Sequence, residues 1–99
     1  MHKFKNTHPG EILLKEFLEP FKLSQSKLAK NIGVHTKRIN EIIRGKRGIT
    51  ANTALLLAKY FNVSAEFWME LQLDYELNEE RFKLKKRLNK IEPLKNLNN

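Results

Sequence analysis

The chain has 99 residues, with 19 Lys and Arg against 11 acids, a net charge of +8 and no cysteine. That length suits one domain with a modest core, and the missing thiols exclude disulfides and thiolate metal sites. No apolar run approaches the ~20 residues of a membrane helix, and "MHKFKNTHPG" lacks the apolar stretch of a secretory signal, so no membrane partner and a cytoplasmic location are expected. The charge is blocked along the chain: net +1 over residues 1–23, +6 over 24–47, −3 over 48–78 and +4 over 79–99. Such a balance favours polyanionic partners.

Period-two alternation is scarce and Gly and Pro fall at plausible helix ends, which predicts an all-α fold. Helix 1 should start near Pro9, with Ile12, Leu13, Phe17 and Leu18 as its apolar face, and stop at Pro20. Helix 2 should follow Ser24 as N-cap and run to Ile32, with Leu28, Ala29 and Ile32 inward and Gly33 turning the chain. Helix 3 should cover His35 to Arg44 and end at Gly45. Helix 4 should follow Thr50 with Leu55, Leu56, Ala58 and Phe61 buried. Helix 5 should follow Ser64, with Glu66 in its first turn and Phe67, Trp68 and Leu71 toward the core. Its stripe continues as Leu84, Leu88 and Ile91, so helix 5 runs on or restarts past Leu77 until Pro93, and the tail "LKNLNN" frays.

Helix 2, the glycine turn and helix 3 have the makings of a helix-turn-helix. Two short helices that cross steeply need a small residue at their closest approach, and Ala29 is placed for that. At ~100° per residue, Ile39, Ile42 and Ile43 share one face of helix 3. Lys37, Glu41 and Arg44 lie opposite, with Thr36, Arg38 and Asn40 on the flanks. A groove-reading helix needs this division. Arg38 suits guanine, Asn40 suits adenine, and Thr36 suits a base or a phosphate. Lys37 lies at the N-terminal end of the helix, where base contacts concentrate. Glu41 repels phosphate, so it either accepts from cytosine or orients a neighbouring Arg. Gln25, opening helix 2, suits a phosphate or an edge base. In "RGKRG", Arg44, Lys46 and Arg47 are held by glycines as a phosphate clamp.

The segments "HPGEILLKEFLEP", "LSQSKLAKNIGV", "RINEIIRGKRGIT", "ALLLAKYF" and "SAEFWMELQLDYEL" resemble the HigA/VapI-type antitoxins, a branch of the lambda-repressor-like helix-turn-helix proteins. The resemblance covers about His8 to Leu77. It implies a five-helix DNA-binding domain that dimerises on a palindromic double-stranded operator. It also implies a RelE-like ribonuclease toxin that the antitoxin binds and neutralises. By motif position it gives Gln25, Thr36, Lys37, Arg38 and Glu41 to DNA reading and Arg44, Lys46 and Arg47 to the backbone-contacting loop. Residues 1–77 then form the DNA-binding domain, and 78–99 a basic C-terminal helical extension. In that extension Phe82, Leu84, Leu88 and Ile91 either continue a solvated helix or bury against a second copy or the toxin.

Catalytic and metal chemistry find little footing. His2, His8 and His35 are scattered, and no ligand spacing such as HExxH occurs. Asp74 is the only aspartate, which makes a Ser–His–Asp triad improbable, and "GKRG" lacks the frame of a phosphate-cradling loop. His8 precedes or caps helix 1. Phe67 and Trp68 read as core. No cofactor and no enzyme activity are expected. Two further readings stay open: an orphan or phage-type repressor without a toxin, and a protein-interaction module whose DNA binding is vestigial.

Overall fold

Proline at the first helical position loses no hydrogen bond, because that N–H has no partner inside the helix. In the computed structural model, which describes residues 5–95, helix α1 (Pro9–Ile12) begins in this way. His2 and the tail residues 96–99 lie outside the described residues. His8 caps α1: its Nδ1 accepts the Gly10 N–H at 2.8 Å. From Leu13 the winding loosens into a π-helical continuation, Leu13–Leu18, in which the Glu19 N–H reaches the Leu14 carbonyl at 2.9 Å. The wider turn brings Leu13 and Leu18, five residues apart, to the same buried side. Pro20 offers no N–H to extend the ladder, and the chain reverses through Lys22 at φ 53°.

The expected caps set the next helices. The Ser24 hydroxyl accepts the Lys27 N–H at 3.0 Å and opens α2 (Gln25–Ile32), which ends on Gly33 in the left-handed region at φ 76°. Helix α3 (Thr36–Ile43) is one residue shorter at each end than expected, because His35 is extended and gives no side-chain cap, and Arg44 leaves the helical region. Helix α4 (Ala51–Phe61) follows Thr50 and ends on left-handed Asn62. Helix α5 begins after Ser64, whose hydroxyl accepts the Phe67 N–H at 3.0 Å. It is one helix of 26 residues, Ala65–Lys90, unbroken across residues 77 and 78. Among the described residues there is no strand.

Two burial expectations are corrected. In α4 the inward residues are Thr53, Ala54 and Leu57, while Leu55 is 63 % exposed. Three successive leucines cannot share one helix face, and the middle of that face is taken by Leu57. Phe67 lies at the rim, 36 % exposed, with its ring edge on Trp68 at 5.1 Å. Trp68 is wholly buried, flanked also by Phe17 at 4.9 Å. The core runs from Leu13 and Leu18 through Leu28, Ala29, Ile39, Ile42 and Leu57 to Trp68, with the first part of α5 packed on α4 and α1 packed on α3 and α5.

Gln72 ties the end of the basic loop to this body, and His8 joins the start of α1 to α5. Gln72 is buried; its Oε1 accepts the Ile49 N–H at 2.8 Å, and its Nε2 donates to Glu76 at 2.7 Å. Replacing it by Leu strands the Ile49 N–H, itself buried. Chemical denaturation should therefore show a loss of about 1–3 kcal/mol; an unchanged midpoint would mean water replaces the amide. His8 sets its ring edge on Tyr75 at a centroid distance of 4.8 Å, and burial lowers its pKa below the ordinary 6.5. The unfolded chain thus takes up a proton that the folded chain refuses. Stability should be full above pH 6.5 and decline as the pH falls from there toward the lowered folded value. Urea midpoints at about pH 7.5 and 5.5 test this, and equal midpoints would deny His8 any linkage.

Candidate nucleic-acid interface

Helix α3 is fixed from below. Ile39 and Ile42 are wholly buried and Ala29 on α2 is 1 % exposed, so the two helices meet over a small residue, as a steep crossing requires. The opposite side of α3 is thereby forced outward. Thr36, Lys37 and Arg44 are exposed, and Arg38, Asn40 and Glu41 are half-buried. Gly45, at φ 75°, turns the chain into the loop, where Lys46 and Arg47 are also exposed. A shallow groove along the start of α3 is lined by His35, Thr36, Lys37, Arg38 and Arg47. The loop that leaves the C-terminal end of α3 thus brings Arg47, four residues after Ile43, back to the groove at the helix's start. Three cations line one groove.

Glu41 does not stand alone against this field. Its Oε1 accepts from Arg47 Nε at 2.9 Å and from Arg47 Nη2 at 2.8 Å. This is the contact to a neighbouring Arg that the sequence left open for it. The pair is partly solvated, with side-chain exposures of 27 % and 46 %, so it adds little stability. Its effect is positional, because it directs a long, otherwise mobile side chain along the groove.

Arg38 is also held. Its Nη1 donates to Asn52 Oδ1 at 2.9 Å and to Thr53 Oγ1 at 3.3 Å. Both partners lie in the first turn of α4, the positive end of its dipole, an unfavourable place for a cation. The guanidinium keeps free donors for a further acceptor. Asn40 Nδ2 donates to Gln25 Oε1 at 3.2 Å. The two amides therefore form one unit bridging α2 and α3, with further donor and acceptor capacity in each. Arg44 and Lys46 remain on the exposed loop, outside the groove.

The structure thus brings Thr36, Lys37, Arg38 and Arg47 to one groove and joins Gln25 to Asn40 and Glu41 to Arg47. Sequence reasoning missed Asn52. An exposed Asn near a helix start reads as ordinary end chemistry, and only the fold shows that it holds Arg38. Among the described residues no three His, Cys, Asp or Glu side chains are placed to hold a metal, and no helix is long and apolar enough to cross a membrane.

Two helices around a glycine turn, with the second exposed and cationic, define a helix-turn-helix domain, and the helix-turn-helix family model matches residues 14–68. The chain is 53 % identical over 70 residues to virulence-associated protein I of Dichelobacter nodosus, an alignment that covers 71 % of this chain and 65 % of that protein. It is 33 % identical over 85 residues to antitoxin HigA-1 of Vibrio cholerae, covering 86 % of this chain and 80 % of that one. Among solved structures, Pseudomonas aeruginosa antitoxin HigA with the higBA promoter matches with a TM-score of 0.88 and 42 % identity, over 92 % of this chain and 100 % of that one. The chain belongs to the HigA/VapI-type antitoxin family of lambda-repressor-like helix-turn-helix proteins.

Proposed function

We propose that the protein is the antitoxin of a type II toxin–antitoxin pair. It acts as a dimeric, sequence-specific repressor of its own operon and binds and neutralises a RelE-like ribonuclease toxin. Residues 1–77 are the DNA-binding domain and 78–99 the basic extension. The observation that carries DNA binding is the groove at the start of α3, where Lys37, Arg38 and Arg47 converge on a helix whose other face is locked into the core. The Pseudomonas relative's association with a promoter supports the same use of that helix. In this reading Thr36, Lys37 and Arg38 face base edges. Arg44, Lys46 and Arg47 hold phosphates, and Gln25, Asn40 and Glu41 set the orientation of the reading side chains.

The toxin half of the proposal is tested by co-expressing the chain with the product of the neighbouring reading frame. The expected result is restored growth and co-elution of the two proteins. Operator binding without either effect would identify an orphan repressor. Toxin binding without operator binding would leave an interaction module and overturn the assignment of α3.

A further inference from the structure

Arg38 is rooted on α3 but ends on α4. An arginine side chain has no acceptor, so only the oxygen of the Asn52 amide can face it, and Oδ1 takes the Nη1 hydrogen at 2.9 Å. The second anchor, the Thr53 hydroxyl, is the longer bond at 3.3 Å and comes from a buried residue. Asn52 is exposed, yet it does not line the groove that Arg38 shares with Lys37 and Arg47. It reaches that groove only through Arg38. The first turn of α4 repels a cation. Without the Asn52 oxygen, a single 3.3 Å bond to a neutral hydroxyl would have to hold the guanidinium against that field. Removing one exposed amide therefore frees the whole side chain.

We infer that Asn52 is a positioning residue for sequence reading: by fixing the plane of the Arg38 guanidinium, it sets a preference for guanine at one position of each operator half-site. This rests on the reading of α3 as the recognition helix and adds to it a residue from α4. Guanine is recognised by two parallel N–H groups of one planar fork, aimed at O6 and N7. A free arginine samples many rotamers and presents that plane only part of the time. Here Nη1 is held from α4, and no partner among the described residues engages Nε or Nη2. One edge of the fork is thus fixed to the protein and the other is left open. A phosphate makes no such demand, because its charge is met equally well from many directions and carries no sequence information. The two uses of Arg38 therefore predict different losses when its anchor is removed. For a base reader the loss falls at one base pair; for a phosphate holder it falls on every sequence alike.

The test is a base-preference profile of the full-length protein. Operator duplexes carrying every single base-pair change in one half-site are titrated with the parent, Asn52→Ala, Asn52→Asp, Arg38→Ala and the Arg38→Ala/Asn52→Ala double variant, each checked by a thermal melt. The parent should favour G·C at one position on the order of tenfold. Asn52→Ala should lose most of that preference and keep the others, and the double variant should lose no more than Arg38→Ala alone. Asn52→Asp keeps an acceptor for Arg38, so it should retain the preference while binding every duplex more weakly, because its charge faces the phosphates. Uniform weakening of all duplexes by Asn52→Ala, losses that add in the double variant, or a lost preference in Asn52→Asp would each overturn the proposal. An Arg38→Ala protein that loses a guanine preference which Asn52→Ala keeps would also overturn it, and would leave α3 as the recognition helix. An Arg38→Ala protein with an unchanged profile would remove the positioning role together with base reading by Arg38.

Discussion

Replacing Lys37 and Arg38 together by Ala is expected to reduce operator affinity on the order of 100-fold at fixed salt while leaving the fold intact. A side chain that reads a base edge contributes about 1–3 kcal/mol, and one that holds a phosphate lowers the salt dependence by about one unit when lost. Lys37 is exposed, and Arg38 touches the body only through Asn52 and Thr53. The stability cost should therefore stay below about 1 kcal/mol. Fluorescence anisotropy on an operator duplex, with a thermal melt of each protein, separates the two effects. Unchanged affinity would remove α3 from DNA recognition and turn attention to the basic half of α5.

The largest effect on stability is expected where no charge is involved. In an ordinary helix, Ala for Gly gains about 1 kcal/mol. At Gly10 a Cβ would overlap the Ile42 carbonyl and press on the Ile43 Cα. Both obstacles are backbone, so no rotamer relieves them; α1 must lift from α3. Gly10→Ala should lose about 3 kcal/mol, a melting-point fall of well over ten degrees at ~4–8 °C per kcal/mol for a domain of this size. Because Gly10 abuts the end of the reading helix, residual folded protein should also bind its operator more weakly. A variant that melts at or above the parent's temperature would show that the close approach of α1 to α3 is absent in solution.

Much of this architecture is legible in the residues, for local reasons. Ser24, Thr50 and Ser64 satisfy helix ends through their own hydroxyls, and Gly33 and Gly45 take backbone conformations that other residues avoid. These signals lie within four residues of what they determine. The isoleucines of α3 follow from periodicity in the same way. The rest depends on which distant element lies alongside. In "ALLLAKYF" every residue of the leucine run is a plausible core residue, and only the position of α5 selects Leu57 over Leu55. The π-helical winding after Ile12 answers a need to bury Leu13 and Leu18 together, which no local propensity announces. Gln72 reads as a surface residue until the Ile49 N–H is placed against it across 23 positions.

The candidate site divides in the same way. Lys37 and Arg44 could be placed outside from the wheel alone, because the opposite face had to be inside. The two attachments that aim the other cations, Glu41 on Arg47 and Asn52 on Arg38, are tertiary. Glu41 had two open roles as the one acid on a cationic helix, and the structure shows its Oε1 bonded to Arg47. That contact is tertiary and could not be read from the wheel.

A footprint of the purified protein on the DNA upstream of its own gene bears on all of this at once. The reading developed above predicts two protected half-sites of a palindrome with centres about one helical turn, ~34–36 Å, apart. The same sites should be lost in the Lys37→Ala/Arg38→Ala protein. Protection without any palindrome, or uniform coverage of unrelated DNA at the same concentration, would contradict a symmetric, sequence-specific repressor.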